Sequence, residues 1–363
     1  VFALVIIAQL ILFYFSPPTE AQPALKWLAR IAAPIMILGF AVMFIYFLYA
    51  AGYNYSPVIN FAATPSLTGA AYWLVVIAFL NSNVAYWATM AVSMPDYTRF
   101  AKSQRSQTWG QLPMPLMMMI VGAMGLLSAG ACMTLGWLKV TSTTASAFFG
   151  YDPVQQISLH FPVALAAILL IIIIVATFTV NVFANTVAPG YDIANTYPKR
   201  LTWFRGILIG VLISLAVGAW AAYSSSAYTY IDNWLLAYGA LLGAVEGIIF
   251  FDYTVLRRFK MDFVDAYLTR GRFRYTSGVN PAAIIAFVIS VLVAYIPHWL
   301  NTTNNYLLAL YDNSWITTFF IAGLIYIILM VAWVIPKYEP ELKGSLAKGY
   351  FSDETKEIFQ FKP

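Results

Sequence analysis

From Phe161 to Ala176 the chain reads FPVALAAILLIIIIVA, without a single charge. A helix needs about 20 residues of this kind to cross a bilayer. Nine runs approach or meet that length, at approximately residues 1–15, 28–51, 72–94, 114–138, 160–188, 204–222, 231–254, 279–296 and 315–335. The chain is 61% hydrophobic and only 10% charged, far from the soluble average on both counts. An all-α, polytopic integral membrane protein is the expectation. The first run is short and begins at Val1 with no initiator Met, which reads as a helix cut within its length. The alternative is a signal peptide with SPPTEAQ as its cleavage region, but the basic n-region that a signal needs is missing.

Charge gives the orientation. With the loop after the first run placed in the cytoplasm, alternate loops hold Lys26 and Arg30, then Arg99, Lys102 and Arg105, then Lys199, Arg200 and Arg205. The cluster of Arg257, Arg258, Lys260, Arg270, Arg272 and Arg274 follows, and then the five lysines of the tail. Nineteen of the 20 basic residues then share one side, and only Lys139 lies opposite, as the positive-inside rule demands. The C-terminus is thereby expected in the cytoplasm and the protein in a plasma or inner membrane. The net charge of +5 follows from orientation, so no nucleic acid partner is needed. Anionic headgroups of the lipid bilayer suit the basic loop over residues 257–274. A single cysteine, Cys132, excludes an internal disulfide, and two histidines, His160 and His298, argue against a multi-histidine metal site.

Linkers are short, so no soluble domain is expected, and the tail over residues 336–363 is polar with mixed charge. Inside the spans, four places break the apolar pattern. In the third, Asn81, Ser82, Asn83, Tyr86 and Trp87 fall near mid-membrane. Three consecutive polar residues of low helix propensity predict a discontinuous helix, tolerated where its freed backbone lines a cavity. Polar contact between helices accounts for the same residues equally well. Trp87 in such a place offers a flat stacking face to a planar ligand, or packs as ordinary core. In the fifth, Thr177, Thr179, Asn181 and Asn185 supply two hydroxyls and two amides. Asn181 and Asn185, four apart, share a helix face. An amide presents donor and acceptor together, matching the edge of an amide or imide heterocycle, and it also serves as interhelical glue.

Glu246 is the third break. It precedes Arg257 by eleven residues, about 16 Å of helix, which puts it near the middle of a core about 30 Å thick. A charged carboxyl is costly there, and it reads as a proton-coupling or substrate-linked group, or as an acid bonded to a neighbouring helix. The fourth break, Gly239, Gly243 and Gly247, is a small-residue stripe that permits close helix packing.

Several segments taken together resemble one transporter family. They are YWATMAVSMPDYTRFAKSQRSQTWGQLP at 86–113, DPV at 152–154, NVFANTVAPGYDIANTYPKR at 181–200, and GAVEGIIFFDYTVLRR at 243–258 followed by GVN at 278–280. In order and spacing these are similar to the nucleobase:cation symporter-1 family, the permeases for uracil, cytosine, allantoin, hydantoins and related compounds. The resemblance implies the leucine-transporter-type 5+5 inverted repeat of twelve helices, of which the nine runs here match helices four to twelve. Residues 1–51 would close the first repeat, 72–258 would form the second, 279–335 would hold two C-terminal helices, and 336–363 a cytoplasmic tail. With helices one to three lacking, the chain would carry one side of each binding site. Trp87 matches the family's stacking tryptophan, Asn185 its substrate-binding asparagine and Asn181 that residue's neighbour. Trp234 and Leu235 match an outer-gate pair. Ala176 and Thr179 match sodium-site positions, but Val180 stands where a second hydroxyl is found. Loss of an oxygen ligand weakens a sodium site, which favours H+ over Na+ as the coupling ion, with Glu246 as its carboxyl. No organic cofactor is implied.

The expectation is therefore a secondary active transporter that imports a nucleobase-like small molecule by alternating access. A non-transporting scaffold or receptor derived from a permease is one rival. A membrane-embedded enzyme is another, and it would need a catalytic constellation of His, Asp, Glu, Ser or Cys, which the spans lack.

Overall fold

The computed structural model describes residues 2–15, 23–59, 68–98, 101–138, 152–217, 227–259 and 271–339, with positions 261, 264, 265 and 268 between the last two. Its α-helices, in chain order, are α1 (Phe2–Tyr14), α2 (Pro23–Ala50), α3 (Ser56–Ile59), α4 (Gly69–Thr98) and α5 (Gln104–Gln111). They continue as α6 (Met114–Thr134), α7 (Pro153–His160), α8 (Val163–Val180), α9 (Val187–Thr196) and α10 (Trp203–Val217). The last are α11 (Ala227–Phe251), α12 (Pro281–Trp299), α13 (Asn305–Asp312), α14 (Ser314–Leu329) and α15 (Ile335–Tyr338). Three π-helical segments, Asn181–Thr186, Asp252–Leu256 and Met330–Val334, widen the chain between or after them. Among the described residues 7 helices are long and apolar enough to cross a membrane, and Val5–Tyr14 and Trp203–Val217 are shorter apolar helices. Among the described residues, each of the nine runs thus contains a helix.

The expected break in the third run is not there. Helix α4 is continuous over 30 residues, because its polar side chains find partners without unwinding it. Ser82 Oγ donates to the Ala78 carbonyl at 3.1 Å, and Asn83 Nδ2 donates to the Phe79 carbonyl at 2.8 Å. Such bonds back to residue i−4 can bend a helix but do not require it to unwind. The fifth run instead extends to Thr196 through the π-helical turn at Asn181–Thr186.

The chain divides into two compact units, residues 1–68 with 93–222, and residues 69–92 with 223–363. In the first unit α2, α6, α7 and α8 enclose Phe47, Ala131, Cys132, Ile157 and Phe161. A second cluster joins Phe13 of α1 to Val182, Val187, Tyr191, Trp203 and Ile207. Ile168, Ile171 and Ile174 of α8 remain exposed, as a lipid-facing surface requires.

In the second unit α11 lies against α14. The glycine stripe makes this possible. A Cβ at Gly243 would stand 2.3 Å from the Trp315 carbonyl oxygen, and one at Gly247 would stand 2.2 Å from that of Phe319. Only glycine admits two backbones this near.

Candidate functional site

The amides of the fifth run sit on a distorted helix. Asn185 is exposed and Asn181 half-buried, and Asn185 Nδ2 donates to Asn181 Oδ1 at 2.9 Å. The pair is linked as the four-residue spacing predicted. Around it the backbone is in π register, and its carbonyls are met by side chains. Thr186 Oγ1 donates to the Asn181 carbonyl at 3.0 Å, and the Tyr97 hydroxyl donates to the Phe183 carbonyl. Pro189 follows three residues later, and its nitrogen has no hydrogen to offer the Asn185 carbonyl. Wide turns of this kind recur at functional positions.

One turn earlier, Ala176 and Thr179 are buried. Thr179 Oγ1 donates to the Val175 carbonyl at 2.7 Å, so its oxygen keeps lone pairs available as an acceptor. Val180 is exposed and contributes no oxygen. Among the described residues no group of three or more His, Cys, Asp or Glu side chains is placed to hold a metal ion. His160 stacks on Trp137 and His298 on Tyr311, each with ring centroids 4.2 Å apart, which accounts for both as packing residues.

Trp87 belongs to the second unit. It is half-buried, and Tyr86 meets its ring edge-on at 5.5 Å. With α4 continuous, it does not stand beside a helix break. Leu235 and Trp234 lie on α11, and their side chains fall outside the described residues.

Glu246 is buried, and the structure gives it the neighbouring-helix bond foreseen as one alternative. Trp315 Nε1 on α14 donates to its Oε2 at 3.1 Å. Its Oε1 is buried without a hydrogen-bond partner among the described residues.

Arg257 was counted with the lipid-facing loop, and the structure corrects this. Its guanidinium is buried, with Nε 2.7 Å from Asp252 Oδ2 and Nη1 3.1 Å from Glu339 Oε2. Burial opposes the charge, and the Asp252 and Glu339 carboxylates overcome it, holding the guanidinium above its ordinary pKa. The Tyr275 hydroxyl donates to Glu339 Oε1 at 2.8 Å, and the Tyr326 hydroxyl to Asp252 Oδ1 at 2.8 Å. Burial and then the Glu339 carboxylate push the Tyr275 phenol up, so it stays a donor. Glu339 is fully buried, so the packed chain reaches past the expected start of the tail at residue 336. Only the pairing of Asp252 with Arg257, five apart across a π-helical turn, leaves a local trace in the sequence.

A family model described as permease for cytosine/purines, uracil, thiamine and allantoin matches residues 1–317. The purine-uracil permease of Arabidopsis thaliana is 30% identical over 86% of this chain and 51% of its own length. The allantoin permease of Bacillus subtilis is 32% identical over 70% of this chain and 49% of its own length. The chain thus spans about half the length of the curated relatives it matches. Among solved structures, Mhp1, a nucleobase-cation-symport-1 family transporter in a closed conformation with bromovinylhydantoin bound, is similar with a TM-score of 0.61. That match has 19% identity and covers 93% of this chain and 69% of the other, which shows a shared all-α transporter fold of the leucine-transporter type.

Proposed function

Since the chain belongs to the nucleobase:cation symporter-1 family of permeases, we propose that the complete protein imports a nucleobase or related heterocycle of the uracil, cytosine, allantoin or hydantoin type. Import runs by secondary active transport with alternating access. In this reading the protein lies in the plasma or inner membrane with its C-terminus in the cytoplasm, and exposed Arg258 meets anionic lipid. The second repeat covers residues 72–258.

The observation that carries the substrate class is the Asn185 amide. It is exposed within a 34-residue apolar span and spends one N–H on Asn181, which leaves its Oδ1 and second N–H without a partner among the described residues. That donor and acceptor together complement the N–H and C=O edge of an imide or ureide ring. Trp87 supplies the stacking face, Asn181 orients Asn185, and Leu235 with Trp234 closes over the ligand. Binding alone moves nothing. A coupling ion has to favour one conformation by contacts that differ between states.

For that ion the reading is H+, with Glu246 as carrier. An ionised Glu246 would leave Oε1 charged and without a donor in apolar surroundings, a costly arrangement. A proton on that oxygen removes the cost while the Trp315 bond persists. Val180 weakens the sodium alternative at Ala176 and Thr179.

Counterflow of labelled uracil or allantoin in liposomes, with cytosine, hydantoin, adenine and thiamine as competitors, tests the function. Binding without exchange would leave a scaffold instead. Uptake measured separately against sodium and pH tests the ion. Glu246→Gln should abolish the dependence on an imposed proton gradient, and a strict sodium requirement indifferent to pH would remove the proton reading.

A further inference from the structure

The polar run at residues 81–83 has no part in the function described so far. Ser82 and Asn83 bond back to their own helix, and Asn81 alone reaches away from it. Asn81 Nδ2 donates to the carbonyl of Asp312, the last residue of α13, at 3.2 Å. Its Oδ1 accepts from the N–H of Ile316, in the first turn of α14, at 3.1 Å. These are groups that helix ends leave without intrahelical partners. One amide therefore closes both helix ends at the α13 to α14 turn, and its side chain is fully buried there.

The anchor is itself held. Ser314 Oγ donates to the Leu236 carbonyl at 2.7 Å, and Trp315 bonds Glu246. Asn81 shares its buried stripe with Ala85 and Ala88, spaced for one helix face. A Cβ at Gly239 of α11 would lie 3.0 Å from the Ala85 Cβ, so α4 lies close against α11. Apolar contact along such a stripe resists separation but permits small rotations about the helix axis. The two directional bonds of Asn81 remove that freedom. Trp87 follows Asn81 by six residues, roughly 9 Å along the axis and about 120° around it, so a rotation of α4 that Asn81 prevents would turn the Trp87 ring with it.

We propose that Asn81 is a positioning residue. By tying α4 to the α13 to α14 turn it sets the rotation of α4 about its axis, and with it the plane in which Trp87 meets the substrate. The proposal rests on the stacking role assigned to Trp87 above. Its test is a double-mutant cycle on the complete permease in nanodiscs, with uracil and adenine affinities measured per folded molecule. With Trp87 present, Asn81→Ala should weaken uracil binding about 10-fold and shift the uracil to adenine ratio, whereas in a Trp87→Ala background it should change affinity less than about 2-fold. A merely structural role would lower the folded yield and leave both affinities per folded molecule unchanged. If Asn81→Ala fails to fold, Asn81→Ser is used, since one short hydroxyl cannot serve both helix ends and should shift the ratio in the same direction. Equal effects in the two backgrounds, or an unchanged ratio in either variant, overturn the positioning role. Unchanged affinity in Trp87→Ala alone removes the stacking premise and the proposal with it.

Discussion

Asn81 is fully buried, with both ends of its amide bonded to another helix pair, whereas Asn185 is exposed and bonds one amide on its own segment. Both lie in apolar runs with polar residues clustered around them. Around Asn81 the helix is regular, and around Asn185 it opens into π register. Proline alone does not explain the difference, because Pro34, Pro95 and Pro297 stand within helices that stay α-helical. What the region of residues 181–186 adds is donors for its carbonyls, one from within, Thr186, and one from α4, Tyr97. A polar residue in a span can thus touch a ligand itself only where the fold leaves part of it unsatisfied. Asn81 is satisfied, and Asn185 keeps capacity for a ligand.

The largest effect that separates the two regions belongs to Asn185. Asn185→Leu removes donor and acceptor together and leaves the polar edge of a bound ring unpaired, so substrate affinity should fall on the order of 100-fold. Folded yield and thermal midpoint should hardly change, because the residue is exposed and its lost partner, Asn181, is half-buried. Isothermal titration with uracil beside thermal unfolding would check both. Unchanged selectivity in uptake would reduce Asn185 to a contact between helices and erase the contrast with Asn81.

A second, smaller effect concerns the backbone. Pro189→Ala returns an N–H to the Asn185 carbonyl and lets residues 181–186 relax towards α register. The loss of proline's restraint on the unfolded chain opposes this, and the net gain in stability should be roughly 1–2 kcal/mol. Uptake should fall at the same time, since the two amides would be turned relative to the bundle. A variant that gains stability and keeps full uptake would show that the π turn is incidental to recognition.

The sequence made some of this legible, for reasons of range. Nine apolar runs became helices because span length and hydropathy are local. The glycine stripe and the adjacency of Asn181 to Asn185 were readable because helix spacing alone decides them. What stayed hidden depends on partners far along the chain. Glu339 lies 82 residues from the Arg257 it binds, and Trp315 lies 69 from Glu246. Charge placed Arg257 in a basic loop, and only the fold shows it buried between carboxylates. The false break at residues 81–83 has the same origin. Propensity counts the cost of Asn and Ser in a helix, while the bonds from Ser82 and Asn83 to residues 78 and 79, and from Asn81 to α14, answer that cost.

Those two neighbours of Asn81 give the smallest effect and the sharpest control. Ser82 is half-buried and Asn83 exposed, and each bonds only the carbonyl four residues before it. In a helix that carbonyl already accepts from a backbone N–H, so losing the side-chain donor leaves nothing buried unpaired. Ser82→Ala and Asn83→Leu should each change stability by less than about 0.5 kcal/mol, read as a thermal midpoint within a few degrees of the parent. Uptake should be unaffected in both. If Asn83→Leu weakened substrate binding while the midpoint held, α4 would offer the ligand an amide as well as the Trp87 ring, and residues 81–83 would join residues 181–186 as a second recognition element.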